Sequence, residues 1–142
     1  MGNPNRVDLT GQDVVTRGMF SNSGNTPTSI STAGNVTITV ANLLSGIIVR
    51  DPNGAGRTDT LDTAANIVAG VPGRASNGDI VRVWVVNGAD AAETITLAAG
   101  TGGAFDANQT AASRVIPQNT SKLVNVRITN SAPGAEAYVI YA

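Results

Sequence analysis

The stretch DIVRVWVV, from Asp79 to Val86 and closed by Asn87-Gly88, decides the fold class. β-Branched residues fill it. Val81, Val83 and Val85 alternate with Arg82, Trp84 and Val86, so an extended strand here has one apolar face and one mixed face. Asn87-Gly88 is a turn signal after such a run. A second alternating run spans Lys122 to Thr129, with Val124, Val126 and Ile128 on one side and Asn125, Arg127 and Thr129 on the other. Shorter extended segments recur around these two: residues 36–40 (VTITV), Ile47-Ile48-Val49, Thr94 to Ala98, Ser113 to Ile116 and Tyr138 to Tyr141.

Helix signals are few. Thr60 to Thr63 offers N-cap choices for a short helix over Ala64 to Ala69, with Gly70 in the C′ position and Pro72-Gly73 beyond it. Ala41 to Ser45 has room for one helical turn ending at Gly46, and Gly100 to Gly103 reads as a Gly-rich loop. Short strands separated by turn signals predict an all-β (mainly) fold over residues 36–142: an antiparallel jelly-roll-like β-sandwich with one or two short helices.

Residues 1–35 read as a polar N-terminal arm, extended and dominated by Gly, Asn, Ser, Thr and Pro. Such a composition buries too little apolar surface to offset its ordering entropy alone. Two readings stand: a solvated tail, or an arm that orders against a neighbouring subunit. On the second, Val7, Leu9, Val14, Val15, Met19 and Phe20 are the contact points.

Composition removes whole classes of chemistry. The 142-residue chain has neither His nor Cys, so imidazole bases, thiolate nucleophiles and the usual zinc ligands are absent. Nine basic and ten acidic residues are scattered, without the basic excess that tracks nucleic-acid phosphates. No run approaches the roughly 20 apolar residues of a membrane span, and the opening MGNPNRVDL lacks the plan of a signal peptide. The expectation is a protein made and used without export, bound to neither nucleic acid nor membrane. Charged residues are only 13%, which leaves burial in an assembly as the simplest protection against aggregation. Eight of the nine cations are Arg, with Lys122 alone, and Arg tolerates interfaces better than Lys.

The segment from Arg50 to Asp62 (RDPNGAGRTDTLD) has three readings. Asp51, Asn53, Gly56, Asp59 and Asp62 fall in calcium-loop register, but Ala55, Arg57 and the lack of a bidentate Glu argue against it. A phosphate loop lacks its Gly-Lys-Ser/Thr. A structural loop accounts for every residue, with Arg50 and Arg57 forked onto Asp51 and Asp59, and with Asp62 or Thr60 capping the helix. No metal and no cofactor is assigned. The local carboxylate pairs Asp59/Asp62 and Asp90/Glu93 read as hydration or helix-terminal charge, so no catalytic residue is expected. Trp84, beside Arg82, either packs in the core or anchors an interface.

Three stretches carry a resemblance: GIIVRDPNGAGRTDTLDTAANIVAGVPG (residues 46–73), NGADAAETITLAAGTG (residues 87–102) and TSKLVNVRITNSAPGAEAYVIYA (residues 120–142). Together they make residues 36–142 resemble the capsid decoration, or cement, proteins of tailed bacteriophages. The resemblance implies a jelly-roll-like domain, made in the host cytoplasm, that forms a homotrimer on the outer capsid surface. Its partners would be the major capsid protein and further copies of itself, and its role would be to cement capsomers against internal pressure. The alternative is a tail-fibre or adhesin-like virion domain that binds a host glycan through Trp84 with Tyr138 or Tyr141.

Overall fold

The computed structural model describes residues 26–142 and shows a mainly β protein of two sheets with two short helices. The larger sheet holds β1 (Thr28–Ile30), β3 (Ile47–Arg50), β5 (Ile80–Asn87), β7 (Gly103–Phe105), β9 (Ser121–Asn130) and β10 (Ala137–Tyr141), in the order β1-β3-β5-β9-β10-β7. The smaller sheet orders β2 (Thr37–Ile38), β4 (Arg57–Leu61), β6 (Ile95–Ala98) and β8 (Val115–Ile116) in sequence. Ile38, Leu61, Ile95, Leu97 and Ile116 from the smaller sheet join Ile48, Val81, Val83, Val85, Val124, Val126, Ile128 and Ile140 from the larger in one core. The alternation around Trp84 therefore buries the valines and turns the tryptophan outward.

The pairing corrects the expectation of an antiparallel jelly roll. Five of the eight strand pairings are parallel, whereas a jelly roll is built from antiparallel pairs. Through β6 the chain visits the two sheets alternately, so each return to a sheet runs in the same direction as the previous visit. Parallel neighbours need a long crossover, which the intervening strand and helix supply. Helix α1 (Val40–Leu44) leads from β2 to β3, and α2 (Ala64–Gly70) leads from β4 to β5. Leu43, Ile67 and Val68 plug both helices into the same core, on the side of the larger sheet that faces the smaller one.

The caps follow from side chains that satisfy orphan N–H groups. Thr39 caps α1 in a reciprocal capping box with Asn42. Thr63, rather than Thr60 or Asp62, caps α2 by accepting from Asn66 N. Gly70 is the last residue of α2 rather than a left-handed C′, with Val71 as the C-cap. A Cβ on Gly70 would stand 2.5 Å from Val40 Cγ1, so close helix–helix packing selects glycine there.

Asn87-Gly88 closes no hairpin, because the strands it joins lie in different sheets. The buried Asn87 instead donates its amide to the carbonyls of Glu93 and Ile116, both at 2.9 Å. The sheet also begins earlier than residue 36. Strand β1 falls inside the stretch read as arm and pairs in parallel with β3, Ser29 opposite Val49. Strand β7 starts at the last residue of the expected Gly100 to Gly103 loop and runs into a segment that carried no strand signal; Gly103 lets its backbone lie against the Tyr138 ring.

Candidate functional site

Two places gather the candidate residues: the loop between β3 and β4, and the outer face of the larger sheet. In the loop, Arg50 and Asp59 form a fully buried ion pair, with Arg50 Nε 2.7 Å from Asp59 Oδ2. Nη2 adds a longer bond to Asp59 Oδ1 at 3.4 Å, and the other guanidinium hydrogens go to backbone carbonyls: Thr32 O at 2.9 Å, Gly34 O at 2.6 Å, and Asp51 O. Asp59 Oδ1 also accepts from Val36 N at 3.0 Å. One buried charge pair thus ties β3 and β4 to the chain between β1 and β2.

Of the expected forks, Arg50 onto Asp59 forms, while Arg57 and Asp51 go elsewhere. Arg57 donates from Nε to Pro52 O at 3.2 Å rather than to a carboxylate, and Asp51 accepts from Asn53 N at 2.9 Å. Residues 57–61 are strand rather than loop, which points Asp59 inward. Asp62 is occupied as well, accepting from Thr63 N, Asn66 Nδ2 and Val40 N. Neither member of the Asp59/Asp62 pair faces solvent as a general acid or base. Lys122, the one lysine, donates to Ser113 O.

Asp51 has other company. With Asp90 and Glu93 it forms a group whose ligand oxygens all lie within 4.8 Å of one another. No metal-ligating set was expected, because the three residues lie on two loops far apart in sequence. Folding juxtaposes them through Gly88 N, which donates to Arg50 O at 2.9 Å.

The outer face of the larger sheet carries the exposed large hydrophobics: Ile47 at 40%, Val49 at 37% and Trp84 at 46%. Register sets Ile47, Trp84 and Leu123 side by side across β3, β5 and β9, with Val49 and Val86 in the next outward row. Arg82, opposite Asn125, shares this face, and Tyr141 stands beyond Asn125 on β10. Tyr138 points the other way. Its hydroxyl, buried in the core, donates to Asp62 O and accepts from Gly100 N. Val7, Leu9, Val14, Val15, Met19 and Phe20 lie outside the described residues.

No protein-family model matches the chain, and no curated protein or solved structure does either. No helix among the described residues is long and apolar enough to cross a membrane.

Proposed function

We propose that the protein works by assembly: it is a structural virion protein that trimerises and binds the outer surface of a bacteriophage head, cementing neighbouring capsomers. The observation that carries the reading is the row Ile47, Trp84 and Leu123, backed by Val49 and Val86 on a sheet face that no described element covers. Contiguous apolar surface of this kind marks interaction sites, and Trp beside Arg is a favoured hot-spot composition. Burying the exposed parts of Trp84 and Ile47 is worth on the order of 1 kcal/mol each. Three equivalent interfaces then add up to a useful gain. A three-fold ring is closed by head-to-tail contacts, so this face meets a different surface of the next copy.

The chemistry of the chain supports the same reading. It lacks imidazole and thiol groups, and the carboxylates of Asp59 and Asp62 are held by internal donors. Residues 1–25 precede β1, the edge strand of the larger sheet among the described residues, and that edge is where an extended segment or a partner strand can add. Three such segments on one trimer would give avidity of about 10²–10⁴ over a single contact. The glycan-binding alternative draws less support, because Tyr138 faces the core and leaves Trp84 and Tyr141 two strands apart.

Light scattering on the full chain is expected to give a trimer, and Trp84→Asp with Ile47→Asp is expected to give a folded monomer that no longer binds phage heads. A monomeric parent protein, or a double variant that still trimerises and binds, would defeat the proposal. Circular dichroism of the variant separates lost assembly from lost folding.

A further inference from the structure

Asp51 lies just after β3, while Asp90 and Glu93 lie between β5 and β6, and their carboxylate oxygens converge within 4.8 Å. Neither ion pair among the described residues, Arg50–Asp59 or Arg74–Glu136, includes any of the three. Glu93 is the telling member. It is only 6% exposed, its Oε1 accepts from Gly54 N at 2.6 Å, and its Oε2 is buried with no hydrogen-bond partner. A buried carboxylate oxygen with nothing to accept is costly, and two like charges beside it add repulsion. A cation at the convergence point relieves both.

We infer that Asp51, Asp90 and Glu93 bind a divalent cation of the calcium class, which clamps the β3–β4 loop to the β5–β6 loop. The donor set is all oxygen, which suits a hard ion. Oxygens that share one Ca²⁺ stand roughly 3 to 5 Å apart, so the spacing needs little movement, whereas Mg²⁺ demands a tighter octahedron. Asp90 is exposed and Asp51 half-buried, so water completes the six to eight ligands that calcium takes. The scaffold is already in place, because the buried Asn87 holds Glu93 O with Nδ2 and Ala89 N with Oδ1. This is not the linear calcium loop that the sequence register offers. Of its five residues only Asp51 takes part, while Asp59 and Asp62 are spent in the core.

The inference is independent of the assembly state, and its test reads out on the isolated protein. Full-length protein is stripped with EDTA, returned to chelator-free buffer, and melted with Ca²⁺ or Mg²⁺ at matched ionic strength. Calcium at about 10 mM is expected to raise Tm by roughly 5 °C, for a site in the weak range of about 10⁻⁴–10⁻³ M. Calorimetric titration is expected to show one Ca²⁺ per chain. Asp90→Asn, chosen because Asp90 is exposed, is expected to weaken calcium binding at least about tenfold while melting in EDTA no lower than the parent. Glu93→Gln is expected to abolish the calcium response. An absent response, an equal response to Mg²⁺, or a response that survives Asp90→Asn would overturn the inference.

Discussion

Arg50 and Asp59 are charged residues at core positions, and the cost of burying them is met by hydrogen bonds rather than by the ion pair alone. Removing one partner leaves a buried unpaired charge, a change that typically costs about 3–5 kcal/mol. Arg50→Met is therefore expected to lower the unfolding free energy, measured by urea denaturation, by about 3–5 kcal/mol. Adding Asp59→Leu is expected to restore only part, because the carbonyls of Thr32, Gly34 and Asp51 still lack their donor. A double variant as stable as the parent would show that the pair is replaceable by packing. Tyr138 makes the matching test in pH. Burial holds its phenol neutral above the ordinary tyrosine range; the Gly100 N–H opposes this and the Asp62 charge adds to it. The unfolded chain ionises first, near pH 10, so Tyr138 contributes fully below that value and progressively less as pH rises toward the folded pKa. Urea midpoints measured between about pH 8 and pH 11 are expected to fall in the parent. Tyr138→Phe is expected to flatten that fall while costing about 1–2 kcal/mol at neutral pH through its lost hydrogen bonds.

At the scale of elements, α1 and α2 meet where Gly70 faces Val40, and the contact is tight enough to test by exchange of volume. Gly70→Ala is expected to cost about 1–3 kcal/mol despite the better helix propensity of alanine, since the added Cβ overlaps the valine. Val40→Ala should recover much of that loss, and a double-mutant cycle by chemical denaturation measures the coupling. Failure to couple would mean that the backbone gives way instead. The long strands were legible because their alternation is clean: β5 and β9 sit within a residue or so of the expected bounds. Strand β4 was not legible. In Arg57-Thr58-Asp59-Thr60-Leu61 the core face carries an aspartate, and polarity conceals a strand whose inward charge finds its partner nine residues earlier. The same limit hid the Asp51, Asp90 and Glu93 cluster, which exists only once two loops lie together. The Asn87-Gly88 signal misled for a related reason, since the side chain of Asn87 serves the core rather than a tight turn.

At the scale of the whole molecule, alternation and turn spacing identify a two-sheet β protein but say nothing of strand direction, which depends on the sheet each strand joins. Because the chain alternates between sheets, the segment ahead of β2 is drawn into the larger sheet as β1, and this sharpens the place where any arm begins. Residues 28–30 pair with β3, and Thr32 and Gly34 supply acceptors to Arg50. A deletion of residues 1–35 therefore removes part of the fold along with the arm, and its effect on head binding would be uninterpretable. A deletion of residues 1–25 leaves β1 and the Arg50 acceptors intact. The shorter deletion is expected to keep the parent urea midpoint and the trimer while head binding drops by a factor of about 10² or more, the loss that avidity predicts. The longer one is expected to lose several kcal/mol of stability, a large share of the 5–15 kcal/mol typical of a domain. If residues 1–25 can be removed without weakening head binding, the arm is not the head contact, and the trimer binds its partner through a surface other than the Trp84 face that joins its subunits.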